Sequence, residues 1–387
     1  MYTGPKLTND GLVFGYDTGY GIADNETSTR FYPGEPTVNE FYGSGSSGTI
    51  LNYSTGYGGL GSVQTGVLDA FGTTDNIVYR KTGKLRFGPT GGQDVGTLTN
   101  GNTYTFSIYL RHYGATLMSG GEFDIVDQAS GGYNFTGTLS SNMTYEWKRF
   151  SVTSTHTNSS NYHFVDVGVY QGTGVFEWCM PQIDVGSHAT PFTKTSRSNT
   201  ASLIDLTKST DLNLSAMTYD STGQPDYDGT DDYINLGNYT PIRLGTNFTI
   251  ECVVRPEQDK WMYFFHKGYG SNNSLAWGRH SSADNWFFST MIGGSYQNSY
   301  MGTATLNKYC HLVATYDGAN LRLYENGVLK VTSAKTHDML TSSASAGIGG
   351  PDRYWNGKIP VTKIYSKVLT TGEVVSNFNT YKNRFNI

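Results

Sequence analysis

The segment Asn320–Val331, NLRLYENGVLKV, decides the fold class. Asn326-Gly327 stands between two apolar runs, and this dipeptide suits a two-residue hairpin turn because both central positions take positive φ. A strand, a tight turn and a second strand are therefore expected. Working outward, period-two alternation recurs along the chain. In TYTFSIYL, residues Tyr104, Phe106, Ile108 and Leu110 share one face, and in HFVDVGVY, Val165, Val167 and Val169 oppose Asp166 and Gly168. One helix is expected, a short C-terminal one: Glu373 follows Thr370 at capping-box spacing, and Val374, Phe378 and Tyr381 follow at i, i+4 and i+7. The fold class is all-β.

Composition agrees. Among 387 residues, 48 are Gly and 29 Tyr, while charged residues make up only 15%. This profile suits strands with aromatic faces joined by tight turns. Lys plus Arg is 27 against 32 for Asp plus Glu, a net charge of −5 with no long basic run, so nucleic acid is not an expected partner. No long apolar run exists and the first residues, MYTGPKLTNDGLVFGYD, lack the basic-then-apolar order of an export signal, so neither membrane insertion nor secretion is expected. Cys179, Cys252 and Cys310 sit singly in apolar runs and read as buried free thiols. Asn-x-Ser/Thr triplets such as Asn25–Thr27 and Asn247–Thr249 carry little weight without that signal.

Two loop-like runs, FYGSGSSGTILNYSTGYGGLGS and DVGSHATPFTKTSRSNTAS, bracket a segment long enough for one β-sandwich. Beyond it, SLIDLTKSTDLNLSAMTYDSTGQPDYDGTDDYINLG, NFTIECVVRP, YCHLVATYDGANLRLYENGVLKV and AGIGGPDRYWNGKIPVTKIYSKVLTTGEVVSNFNTYKNRF follow in order. These blocks resemble a laminin-G-like, concanavalin-A-like lectin/glucanase jelly roll, in particular the copies found in structural proteins of tailed bacteriophages. In that family the domain opens with a strand like GLVFGYD, Gly11 to Asp17, followed soon by a segment like LIDLT. Here about 185 positions separate the two.

An insertion accounts for that gap. The expected domains are residues 1–35, the first strand and lead-in of the concanavalin-A-like sandwich; 36–198, an inserted second sandwich; and 199–387, the remainder of the first. Insertion at a surface loop costs little when the inserted ends lie close together. The inserted segment, with NTYTFSIYLRH, YEWKRFSVTSTH and VFEWCMPQIDVGSHATPFTKT, is similar to carbohydrate-binding-module jelly rolls of phage virions. The whole then reads as two jelly-roll β-sandwiches, one inserted into the other, with a short C-terminal helix.

The stretch PDYDGTDDYINLG places Asp226, Asp228, Asp231 and Asp232 within seven positions. Aspartates beside Gly229 are expected to accept backbone N–H bonds in a turn. A calcium site at Asp228, Asp231 and Asp232 is the alternative, since hard cations want clustered oxygens, although the EF-hand spacing is absent. In GGEFDIVDQASGG, Glu122, Asp124 and Asp127 are similar to the E-x-D-x-x-E strand of laminarinase-type glycoside hydrolases. Retaining hydrolysis needs two carboxyl groups about 5–5.5 Å apart. The final Asp, the position in the inserted segment and the flanking glycine pairs favour an ordinary amphipathic strand instead, and no enzyme activity is expected. GSGSSG, Gly43 to Gly48, precedes a β-like run rather than a helix, so it is no phosphate cradle. The eight histidines show no zinc-protease spacing.

Sugar faces stack on exposed aromatic rings. Trp261, Tyr263, Trp277, Trp286, Tyr296, Tyr300 and Trp355 crowd the C-terminal part, and Trp355 with Tyr354, in the loop GGPDRYWNGK, and Trp277 and Trp286 are the glycan-binding candidates. The resemblance implies a bacteriophage virion structural protein on the particle surface, as a head decoration, head fibre, or tail or collar appendage. Its expected partners are other virion proteins, further copies of itself, with a trimer as the fibre form, and a host-surface glycan bound weakly. Its expected location is the virion, after synthesis in the host cytoplasm. The alternatives are a dedicated glycan-binding receptor-binding protein and a laminarinase-like hydrolase. No cofactor other than calcium is expected.

Overall fold

A computed structural model describes residues 7–20, 32–39, 59–87, 98–115, 122–127, 132–135, 142–156, 163–168, 174–268, 270–271, 273–281 and 284–387. It divides into two compact units, one formed by Met1–Glu35 with Ser198–Ile387 and the other by Pro36–Arg197. Each is a β-sandwich, and the fold is all-β apart from the C-terminal helix and short turns.

In the first unit, two antiparallel sheets face one core. Among the described residues, one sheet runs in the order Thr218–Tyr219, Pro225–Asp228, Asn356–Tyr365, Phe248–Pro256, Cys310–Tyr316, Asn320–Glu325 and Val328–Ala334. The opening strand Leu12–Asp17 pairs with the far end of Asn356–Tyr365, with Leu12 opposite Tyr365 and Asp17 opposite Val361. Pro225–Asp228 takes the near end of that strand, at Asn356 and Gly357. The second sheet runs Ile234–Gly237, Ala346–Ile348, Met262–Lys267, Ser274–His280, Asn285–Ile292 and Ser295–Thr303. Ile250, Cys252 and Leu312 from the first sheet meet Phe264, Trp277 and Phe288 from the second in one buried cluster. Burial of these apolar side chains is the main force closing the sandwich.

The hairpin forms as the sequence implies. Asn326 and Gly327 take φ of 49° and 77°, and Glu325 pairs with Val328 across them. The helix spans Thr371–Phe385, and Thr370 and Glu373 form a reciprocal capping box. It lies on the outer face of the first sheet. Val374 packs with Val313, Tyr324 and Tyr365, while Tyr381 and Phe385 pack with Val253 and Val361.

The second unit pairs a sheet of Ser62–Gln64, Val78–Thr82, Val175–Val185, Thr103–Tyr113 and Lys148–Thr155 with one of Leu85–Phe87, His163–Gly168, Glu122–Asp127 and Gly132–Phe135. Tyr104, Phe106, Ile108 and Leu110 point together into its core, where Val165 and Val167 join them. Val169 lies outside the described residues. Thr37–Val38 pairs antiparallel with Ser196–Arg197, so the ends of this unit lie side by side. All three cysteines are free and buried, and burial pushes the Cys179 thiol up to about 12, away from reactive thiolate.

Candidate functional site

The four aspartates resolve into separate roles. Asp226 pairs with Lys358, whose Nζ lies 3.1 Å from its carboxylate and 2.6 Å from that of Asp220. Asp228 Oδ1 accepts the Thr230 N–H at 2.7 Å, and Asp231 is exposed. Asp232 is fully buried. Its Oδ1 accepts the Thr218 N–H at 3.0 Å, and its Oδ2 accepts the Thr218 hydroxyl at 2.7 Å and the Asp228 N–H at 2.8 Å. Burial raises the Asp232 pKa, and the charge on Asp228 adds to this against the lowering effect of those hydrogen bonds.

One carboxylate oxygen from each of Asp228, Asp231 and Asp232 lies within 4.8 Å of the others. The set nevertheless fits calcium poorly. Both oxygens of Asp232 are committed, the Lys260 ammonium donates to the Gly229 carbonyl at 3.1 Å, and Asn356 donates to the Asp228 carbonyl at 2.7 Å. Calcium takes six to eight oxygens, whereas this turn commits both Asp232 oxygens to itself and holds a cationic side chain. The bonds of Asp232 and of Asp228 Oδ1 are those of a turn.

Glu122, Asp124 and Asp127 lie on a strand that pairs with His163–Gly168, placing Asp124 opposite Asp166. Their side chains fall outside the described residues, as does the whole of Gly43–Gly48. Asp166 itself is held by Lys84 at 2.7 Å and Arg86 at 2.6 Å.

Three of the four expected sugar-stacking residues are core residues. Trp355 is 0% exposed, because the loop turns inward: its N–H donates to the Gly349 carbonyl at 2.7 Å and its ring meets Phe264 edge-on at 5.6 Å. Trp277 and Trp286, at 0% and 1%, occupy inward positions opposite Phe288 and Met301 respectively. Rings sealed between two sheets cannot meet a sugar. Tyr354 stays half-buried against Tyr233, with ring centroids 6.1 Å apart.

The outward register of the same sheet carries a different aromatic group. Trp261 and His280 are half-buried with centroids 4.7 Å apart, and His280 meets Tyr300 at 6.1 Å. Arg353 lies over the Trp261 ring, its Cζ 3.8 Å from the centroid. Phe287 fills the base of the group, edge-on to Trp261 at 6.0 Å and to Tyr263 at 5.7 Å. Tyr300 is 45% exposed, as is Tyr296 at 48%. The Trp261 Nε1 is buried with no acceptor.

Arg279 anchors the loops beside this group. Its guanidinium is 1% exposed and donates to Asp259 at 2.7 Å, to Asp284 and to the Ala304 carbonyl at 3.2 Å. Both aspartates stay open to solvent on their other sides. Sequence reasoning named Trp261 and Tyr300 among the aromatics but missed His280 and Arg353. Alternation in Ser295–Thr303, with Tyr296, Asn298 and Tyr300 outward and Ser299 and Met301 inward, was the available signal.

Facing antiparallel sheets around one apolar core, with a rim of loops, define a lectin-like jelly roll. Residues 228–375 match the family model of the concanavalin A-like lectin/glucanases superfamily, wholly within the unit built from residues 1–35 and 198–387. No curated protein matches the chain.

Among solved structures, a Trypanosoma rangeli sialidase bound to the inhibitor DANA is similar at 16% identity and a TM-score of 0.35, covering 46% of this chain and 30% of the sialidase. The chain thus spans under a third of that enzyme. The carbohydrate-binding module of a Ruminococcus gnavus sialidase, bound to α2,3-sialyllactose, shows 13% identity and a TM-score of 0.34, with 39% and 94% covered. A pentraxin from Limulus polyphemus shows 16% identity and a TM-score of 0.30, with 39% and 78% covered. None of the three bears on which ligand this chain holds.

Proposed function

We propose that this chain is a glycan-adhesion protein whose sugar-stacking surface is the group Trp261, His280, Tyr300 and Arg353. The observation that carries the reading is the exposed Tyr300 ring, edge-on to His280 beside the half-buried Trp261 that Arg353 covers. An exposed aromatic body offers dispersion and apolar contact to the C–H face of a sugar. Asp259, Asp284 and Arg353 supply hydrogen-bonding groups of both kinds at the edge.

A glycan array probed with the full chain tests this reading. Saturable binding is expected, falling at least tenfold in a Trp261→Ala/Tyr300→Ala double variant that keeps its melting temperature. Absence of wild-type binding, or a double variant that binds equally, would remove the proposal.

The finer placement is the surface of a tailed-bacteriophage particle. It is supported by the resemblance of the blocks around Ser202–Phe385 to phage structural proteins. Many copies on a symmetric particle would turn weak single contacts into useful avidity. Electron cryo-microscopy of the particle, showing this chain outside the shell or along the tail, is the corresponding test.

A further inference from the structure

The second unit carries a separate charged and aromatic face. On neighbouring strands, Arg80 and Arg111 flank Glu177 in register. Arg80 donates from Nε and Nη2 to Glu177 Oε1 at 3.1 and 2.6 Å, while Nε and Nη2 of Arg111 lie 2.8 and 2.7 Å from Oε2. Glu177 is sealed at 1% exposure, but the arginine side chains keep 27% and 24% of their surface. Among the described residues neither Nη1 has a hydrogen-bond partner, and neither is among the buried atoms that lack one.

One bidentate arginine is enough to satisfy a carboxylate. The second adds a positive charge that this trio does not balance. Each guanidinium also lies over a ring: Arg80 Cζ is 3.2 Å from the Tyr113 centroid and Arg111 Cζ is 4.3 Å from that of Trp147. Tyr113 and Tyr145 are 42% and 57% exposed, and the Tyr145 hydroxyl donates to the Gly114 carbonyl, next to Tyr113 in the chain, at 3.3 Å. Exposed Glu146 precedes Trp147, and the strand that follows begins with Lys148 and with Arg149, whose Nη2 donates to Ser107 Oγ at 2.8 Å.

We propose that this face binds a carboxylate-bearing saccharide. Its carboxylate meets the Nη1 edges of Arg80 and Arg111, and its apolar ring face lies on Tyr113 and Tyr145. Glu177 holds both guanidinium groups in place beforehand, which lowers the ordering cost of binding.

Calorimetric titration of the full chain tests the assignment, with oligogalacturonate, its methyl ester and dextran sulfate as probes. Oligogalacturonate is expected to bind, more weakly as salt rises, and the neutral ester at least tenfold more weakly. Tyr113→Ala/Tyr145→Ala removes rings that do not support Glu177. It is expected to lower affinity at least tenfold with melting unchanged, and Arg111→Lys to lower it while retaining charge. Equal binding of ester and acid, equal binding of dextran sulfate, or wild-type affinity in the tyrosine variant would overturn the proposal. Because Arg80 and Arg111 belong to one unit and Trp261 and Tyr300 to the other, the Trp261→Ala/Tyr300→Ala variant should keep full oligogalacturonate affinity; its loss would also count against the proposal.

Discussion

His311 Nε2 lies 2.8 Å from Glu251 Oε1, with both side chains fully buried beneath the C-terminal helix. The other carboxylate oxygen accepts the Tyr365 hydroxyl at 2.8 Å and Asn377 Nδ2 at 3.0 Å, and Asn377 in turn accepts the Thr8 N–H at 2.8 Å. Three strands, the helix and the N-terminal segment therefore meet on one acid. Burial alone would raise its pKa. The hydrogen bond from His311, helped by the charges of His311 and Lys363 and by Tyr365, outweighs that and holds Glu251 below the ordinary carboxylate range.

The sign of the resulting pH dependence is fixed. A folded pKa below the unfolded value means that unfolding takes up a proton. The stabilisation is fully present above the unfolded pKa of about 4.3 and is lost as pH falls through the lower folded value. Glu251→Gln is expected to cost about 1–3 kcal/mol at pH 7. The melting gap between variant and wild type should close on acidification below about pH 4. A gap that stays constant from pH 7 to pH 3 would show that the carboxylate charge contributes nothing.

Asp232 and Asp231 are adjacent but should behave oppositely on substitution. Asp232→Ala strips acceptors from two backbone N–H groups and a hydroxyl, and about 2–3 kcal/mol of destabilisation is expected. Asp231→Ala, at an exposed position, should stay within about 0.5 kcal/mol. Millimolar calcium should leave wild-type melting unchanged. A calcium-dependent rise that is abolished by Asp231→Ala would restore the cation reading.

Gly278 is required by a neighbouring carbonyl rather than by a turn. A Cβ there would stand 1.9 Å from the Met262 oxygen on the adjacent strand, so Gly278→Ala must push apart the strands that carry Trp261 and His280. A loss of about 3 kcal/mol or more is expected, at the upper end of overpacking effects. Reduced soluble yield and a lower melting temperature by circular dichroism are the readouts. Wild-type melting in this variant would mean that the strand pair yields freely.

Local chemistry made part of this fold readable. Asn326-Gly327 announces its turn through φ, and Thr370 with Glu373 announces a helix start, because both signals lie within four residues. Period-two alternation likewise gave the inward face of Thr103–Tyr113. The site was harder. Trp355 sits in a Gly- and Pro-bearing loop, and core contacts such as that with Phe264, about 90 positions earlier, hold it inside. Trp261, His280, Tyr300 and Arg353 come from separate strands and a loop, so their proximity is a property of sheet order. Glu251 is the one acid in the strand Phe248–Pro256, and its partners lie 60 to 126 positions away.

The pairing of Val38 with Ser196 carries a last prediction. The chain leaves for the second unit and returns from it across one strand pair, a gap of about 5 Å between Cα atoms. A span that short can be bridged by a few flexible residues, and loop-closure entropy changes only slowly with loop length. Replacing residues 37–196 with a short Gly-Ser linker should therefore leave the first sandwich folded, since Leu12–Asp17 still reaches Asn356–Tyr365 to complete its sheet. The shortened protein is expected to melt cooperatively, to keep glycan binding at Trp261 and to lose oligogalacturonate binding. Removing Leu12–Asp17 instead strips Phe14 and Tyr16 from the core and should abolish cooperative melting. If the shortened protein failed to fold while the chain lacking Leu12–Asp17 folded normally, the first sandwich would not be closed by its opening strand.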